Sequence, residues 1–233
     1  MTKRVLLSWS SGKDAAWTLH TLRQAADVEV VGLLTTFNEE ADRVAMHAVR
    51  RDVVEAQAAA AGLPLRSVFI PSPCPNEVYE RQMARAIERA KADGVTHIAF
   101  GDLFLEDVRR YREERMAGTG IDPLFPLWGI PTPVLAGQMI DGGLEATLTC
   151  VDPKQLDPVF AGRRFDRALV DEFLEMARRG GTMDCCGERG EFHSCVTAGP
   201  MFSAPLKAST GEIVERGGFV FCDVLLNQPA VAT

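Results

Sequence analysis

The chain has 233 residues, 46% of them hydrophobic and 24% charged, with 25 basic against 32 acidic side chains and a formal net charge of −7. This composition excludes disordered, collagenous and fibrous classes, because it supplies enough apolar surface for a buried core. The acidic balance counts against broad, non-specific nucleic-acid binding, which rests on neutralising phosphates, but it leaves room for a local basic pocket. Residues 5–9 form a short apolar run, too brief for a signal peptide's apolar core, and a helix-compatible stretch follows over 14–26. Residues 29–37 are the next apolar run. An Ala-rich segment over 46–61 is spaced like a helix and stops at Gly62, with Pro64 just beyond. Residues 65–70 are a third strand candidate. Asn76 can cap a helix that runs to Asp93 and stops at Gly94, and 97–100 is a fourth strand. Strands alternating with helices of this length argue for βαβ units and a parallel sheet covered on both faces.

Residues 106–119 are highly charged and read as a solvated helix. The Pro-rich segment 123–133 breaks the regularity and divides the chain into domains at 1–128 and 129–233. A helix near 134–140, a strand at 145–151 and an amphipathic helix at 165–179 follow. Residues 180–202 are Gly-rich with cysteines and acids, and short β-like runs lead to Val224, with 227–233 as a frayed tail. No run approaches the ~18 apolar residues of a membrane helix. Cys74, Cys150, Cys185, Cys186, Cys195 and Cys222, in a chain this long, read as reduced thiols in a cytoplasmic protein rather than a disulfide framework.

The sharpest local signal is Ser8-Trp9-Ser10-Ser11-Gly12-Lys13-Asp14, between the first strand and the first helix. Small residues let the backbone approach an anion, and free N–H groups at a helix N-terminus favour phosphate. Lys13 adds a full charge. The Walker spacing is absent. The run resembles the Ser-Gly-Gly-x-Asp-Ser loop of the PP-loop ATP pyrophosphatases, the adenine nucleotide alpha hydrolase superfamily. Ser11 stands where that pattern has Gly, and Ala15 where it has Ser.

Further segments are similar to the diphthine–ammonia ligase family. They are Met46-His47-Ala48 with the Gly-x-Pro-Leu turn ending at Leu65, and Phe100-Gly101-Asp102-Leu103 followed by Arg109, Arg112, Glu113 and Pro126-Leu127-Trp128. The most specific is Cys186-Gly187-Glu188-Arg189-Gly190-Glu191-Phe192-His193-Ser194 with Gly199-Pro200-Met201-Phe202, although Ala198 replaces the acid that commonly precedes Gly-Pro. The resemblance spans roughly residues 3–222. It implies a Rossmann-like (HUP-type) parallel sheet with helices on both faces, plus a smaller C-terminal α/β or α+β domain. It further implies an ATP-dependent amide-forming ligase: a carboxylate is adenylated, pyrophosphate leaves, and ammonia or a small amine displaces AMP. Protein-bound diphthine or another carboxylate would be the acceptor, with no membrane and no nucleic acid among the partners, and a homodimer is left open.

On this reading Ser8, Trp9, Ser10, Ser11, Gly12, Lys13, Asp14, Gly101 and Asp102 bind the nucleotide. Lys13, Asp14, Glu188, Glu191 and His193 are the catalytic candidates, and Asp102 and Glu188 are candidates for Mg²⁺. Glu188 and Glu191 could hold that ion, orient an amine or accept its proton. His193 could serve as acid or base near neutral pH. Lys13 and Asp14 are expected to serve ATP binding, Glu191 and His193 the ligation step. Arg109 and Arg112 could reach phosphate or a carboxylate as fork donors. His47 falls on the Ala-rich helix, and His20 and His97 read as structural. Adjacent Cys185 and Cys186 suit a tetrahedral zinc site poorly. A tRNA-modifying PP-loop enzyme and a non-catalytic ATP or AMP sensor are the rival readings.

Overall fold

A computed structural model describes residues 2–45 and 47–227. Met46 and residues 228–233, two ends of expected elements, lie outside the described residues. The N-terminal part is a mostly parallel sheet. Its strands are β1 (Lys3–Ser8), β2 (Val28–Asn38), β3 (Arg43–Val44), β4 (Leu65–Ile70), β5 (His97–Ala99) and β6 (Asp122–Leu124). The parallel strands lie in the order β4-β2-β1-β5-β6, with β3 added antiparallel at the end of β2. β1 is therefore central, and its residues alternate between two cores. Val5 and Leu7 pack towards α1 (Lys13–Gln24) and α2 (Arg51–Ala61). Leu6 packs on the other face with Ile87 and Ala90 of α3 (Asn76–Ala92). A strand buried on both faces reads as a continuous apolar run, which is why Val5-Leu6-Leu7 shows no polar alternation. α4 (Glu106–Met116) buries no residue fully.

The C-terminal part holds α5 (Thr132–Asp141), β7 (Glu145–Val151), α6 (Arg167–Arg178), β8 (Phe192–Ala198), β9 (Ala208–Arg216) and β10 (Phe219–Leu226). Its sheet is antiparallel, in the order β8-β7-β10-β9. One apolar core runs from Leu19 and Leu22 of α1 through Leu135 and Met139 to Phe173 and Phe192. Gly142 lets Trp17 pack against the backbone after α5, where a Cβ would stand 2.4 Å from the indole. Among the described residues no helix is long and apolar enough to cross a membrane.

Several boundaries differ from those read in the sequence. The segment 47–50 is not helical. Val44 donates its amide to Val49 O at 2.8 Å, and Ala48 adopts φ +56°, so the chain turns back on β3 before α2 starts at Arg51. His47 thus lies in a turn rather than on the Ala-rich helix. The charged helix ends at Met116 rather than 119, where Gly118 and Gly120 take positive φ. Asp166 caps α6 through Leu169 N–H, leaving Phe165 outside it. The edge strand β6 enters the Pro-rich stretch, because Pro123 needs no donor partner there.

Candidate functional site

The loop after β1 is held from two sides. Val196 of β8 donates its amide to Ser11 O at 3.0 Å. Gln57 of α2 accepts from Trp9 Nε1 at 2.9 Å and donates to Ser11 O at 3.2 Å and to Val196 O at 2.7 Å. Trp9 and Ser11 face inward: Trp9 is buried in the core and Ser11 is fully buried. Ser11 also adopts φ +73°. The left-handed conformation costs a non-glycine residue roughly 1–2 kcal/mol, which accounts for glycine at this place in the PP-loop pattern.

Gly12 caps α1 in an extended conformation with no side-chain cap, and the Lys13 amide reaches Ser194 Oγ at 3.2 Å. The Gly12 amide meets Ser10 Oγ at 3.4 Å, so two serine hydroxyls cover the first donors of the helix where it faces the cavity. Two glycines keep it narrow. A Cβ on Gly12 would lie 3.2 Å from Ser194 O, and one on Gly101 only 3.0 Å from the Asp14 carbonyl carbon. Gly101 and Asp102 follow β5, at the crevice outside the carboxyl ends of the strands where ligands of open α/β sheets bind.

Lys13 is 2% exposed. Its Nζ donates to Asp14 Oδ2 at 2.8 Å and to Cys186 O, and it lies 5.2 Å from the centre of the Phe192 ring. Burial alone would lower the ammonium's pKa, but the charge and hydrogen bond of Asp14, together with Cys186 and Glu188, outweigh it and the net shift is upward. Burial raises the Asp14 carboxyl against the pull of Lys13. Asp14 Oδ1 is buried without a hydrogen-bond partner.

The C-terminal acidic loop forms the opposite wall. Glu188 Oε1 accepts from Leu103 N at 2.8 Å, bridging the two parts of the chain. Burial lifts its pKa from 4.5 to about 7, assisted by Asp14 and Asp102. Asp102 meets Arg112 Nε at 3.4 Å.

Glu191 has a different place from the one expected. It is 2% exposed, and its oxygens accept from Asp184 N at 2.8 Å and Arg189 N at 3.0 Å. It shapes the loop from behind and does not line the cavity. Asp184, which the sequence reading missed, does the same work by accepting from Cys186 N at 3.2 Å and Glu188 N at 3.0 Å. An acid just ahead of Cys-Cys-Gly-Glu is the signal that could have found it, since such residues bond backbone amides two and four positions on. Gln57 carried no local signal.

His193, on β8, stacks with His47, ring centres 4.1 Å apart. Burial lowers His193 to about 4, with Lys13 adding to the effect; burial, with His193 and Lys13, also holds His47 well below its ordinary value. Both imidazoles are neutral at pH 7. Of the two cavity groups, burial pushes the Glu188 carboxyl towards neutrality and the His193 imidazole away from it, the reverse of what the sequence suggested. His20 packs on Trp17 and His97 meets Thr96 Oγ1, both outside the cavity.

Ser8, Ser10, Gly12, Lys13, Asp14, Gly101, Asp102, Glu188 and His193 line one cavity of about 260 Å³, which Arg112 and His47 also reach. Arg109 instead stacks on Phe125 and Trp128. A larger groove of about 690 Å³, between β4 and α3, contains none of these groups. Among the described residues no group of three or more His, Cys, Asp or Glu side chains is placed to hold a metal on its own. Cys195 is buried, which pushes its thiol up to about 12.

Two family domains match the chain. The diphthamide synthase N-terminal domain covers residues 3–121 and the diphthamide synthase C-terminal domain covers 132–225. The chain belongs to the diphthamide synthase family. A curated relative, the diphthine–ammonia ligase of Bos taurus, is 25% identical over 240 residues, covering 95% of this chain and 88% of its own. In this diphthamide synthase fold the family's two domains meet at the cavity: the first supplies the loop before α1, and the second the wall carrying Glu188 and His193.

Proposed function

We propose that the chain is an ATP-dependent ligase that activates a carboxylate and transfers it to ammonia or a small amine. One observation carries the reading: the serine-lined start of α1, with Lys13 and Asp14, shares a cavity with the half-buried carboxylate of Glu188 and with Asp102. The bovine relative's name supplies diphthine and ammonia; ammonia is the amine we carry over, and diphthine is the acceptor the name suggests.

The residues divide the work as follows. Ser8, Ser10 and the amides around Gly12 bind the polyphosphate, with Gly101 keeping the cradle narrow enough for backbone contact. Lys13 holds a positive charge where pyrophosphate develops negative charge on leaving, in a setting shielded from water. Glu188, partly ionised at neutral pH, takes a proton from the incoming amine. His47 and His193 stay uncharged and offer hydrogen bonds without repelling an ammonium ion. The donor set suits Mg²⁺, which is held by one or two carboxylates together with substrate phosphates. Asp102, Glu188 and the unpartnered Asp14 Oδ1 are oxygen donors of that kind. The ion, when bound, would neutralise phosphate charge.

The test is to incubate the chain with ATP, Mg²⁺, ammonium and a diphthine-bearing protein. AMP and pyrophosphate should appear in equal amounts, together with an amide. ADP and phosphate, or no ATP uptake by titration, would refute the reading. Gly12→Ala should weaken ATP binding because its Cβ crowds Ser194 O.

A further inference from the structure

The groove of about 690 Å³ between β4 and α3 shares no residue with the phosphate-loop cavity. One wall is a sheet edge: among the described residues β4 pairs with β2 alone. Pro64 O and Ile70 O accept from the Leu33 and Glu39 amides, so the even-numbered residues of β4 turn their backbone groups towards β2. Successive residues of a strand point opposite ways. The N–H and C=O of Ser67 and Phe69, which both line the groove, therefore face outward at the edge. The other wall is α3, which presents Gln82, Arg85 and Arg89. Arg81, Arg85 and Arg89 stand four apart in one helix row, an arrangement of like charges that weakens a helix. Asp93, the acid that lines the groove, is taken up by Arg66 at 2.7 Å. Arg85 and Arg89 are exposed and form no ion pair among the described residues. They leave the groove positive on a chain whose net charge is −7.

We propose that this groove docks an extended acidic segment of a partner protein, added as a strand beside β4. The proposal goes beyond the ligase reading and does not rest on it. Main-chain groups of the segment pair with those of Ser67 and Phe69. Alternate side chains on one face of a strand stand about 6.6–6.8 Å apart. Arg85 and Arg89, four residues apart, are separated by about 6 Å along the helix axis. Two alternate carboxylates therefore meet both guanidiniums. The edge selects a peptide over a nucleic acid. A phosphate backbone would satisfy the arginines, but it has no row of N–H donors for the strand's outward carbonyls.

Fluorescence anisotropy on the full chain, with a labelled peptide of alternating glutamate and valine, tests this. Binding should saturate and should weaken as salt rises. Arg85→Glu combined with Arg89→Glu should weaken it by roughly tenfold, with ATP affinity unchanged. Ser67→Pro removes an outward N–H, which an edge strand tolerates, and should weaken binding as well. Should that variant fail to fold, two modified peptides give the same reading. One is N-methylated at its glutamates and the other at its valines, so that each row of N–H donors is removed in turn; at least one should lose binding. Absence of saturable binding, binding untouched in the double arginine variant, or both methylated peptides binding like the parent would overturn the proposal. So would loss of ATP affinity in the folded double variant, which would tie the groove to the nucleotide site. A single-stranded oligonucleotide of equal charge that binds more tightly than the peptide would overturn it too, and would assign the groove to nucleic acid.

Discussion

Glu188→Gln is expected to stabilise the protein while impairing it. Burial, with Asp14 and Asp102 nearby, lifts this carboxyl from 4.5 to about 7 against the pull of the Leu103 amide and Lys13. A rise of that size corresponds to about 3 kcal/mol. Glu188 is only half-buried, so solvent screening trims the expected effect to about 2 kcal/mol. The sign follows from proton binding. The unfolded chain releases the proton near 4.5 and the folded chain holds it to about 7, so stability falls as pH rises between these values and levels off above. Glutamine does not ionise, yet it keeps an oxygen for the Leu103 amide. The variant should therefore match the parent near pH 4.5 and exceed it by about 2 kcal/mol near pH 8, or about 4–8 °C in Tm for a chain of this length. Scanning calorimetry at both pH values, with AMP formation measured in parallel, is the assay. An offset that does not change with pH, or a less stable variant near pH 8, would refute the argument that Glu188 is held where its charge is disfavoured.

Gly101→Ala should destabilise the fold by about 1–3 kcal/mol and weaken ATP binding, because its Cβ meets the Asp14 backbone at 3.0 Å and neither strand nor helix can yield cheaply; urea unfolding and ATP titration report the two effects. Glu191→Ala should cost about 2–4 kcal/mol by leaving the Asp184 and Arg189 amides unpaired, and it should loosen the acidic loop instead of sparing everything but ligation. Hydrogen exchange confined to residues 184–191 would check that. Asp223 bonds Arg43 at 2.8 Å and Arg50 at 2.6 Å. Although burial opposes them, the two arginines hold its pKa down from 3.8 to about 2, so its contribution is present above pH 3.8 and lost as pH falls towards 2. Asp223→Asn should cost about 1–2 kcal/mol at neutral pH once screening is allowed for, and the parent–variant difference should vanish in acid melts. Ser11→Gly should raise stability by about 1 kcal/mol by removing left-handed strain, seen as a higher Tm.

Much of the sheet was legible because its signals are local. Val5-Leu6-Leu7 and the spacing of the Ala-rich segment report burial at periods set by strand and helix geometry. The loop before α1 was legible for the same reason: small residues, a lysine and a helix start lie side by side in the chain. The adjoining residues misled where a side chain's direction mattered. Glu188 and Glu191 look equivalent in the sequence, yet one faces the cavity and the other is turned behind the loop by the amides of Asp184 and Arg189.

The sequence by itself determined the layered α/β plan, the small-residue loop with its lysine between the first strand and the first helix, and the family resemblance, all consequences of neighbours within a few residues. Only the tertiary structure brought Lys13 to Ser194 across 181 positions, Arg43 to Asp223 across 180 and His47 to His193. Those contacts decide which groups are desolvated, and desolvation decides that Glu188 titrates near neutrality and His193 does not. No local pattern encodes the water that the rest of the chain excludes.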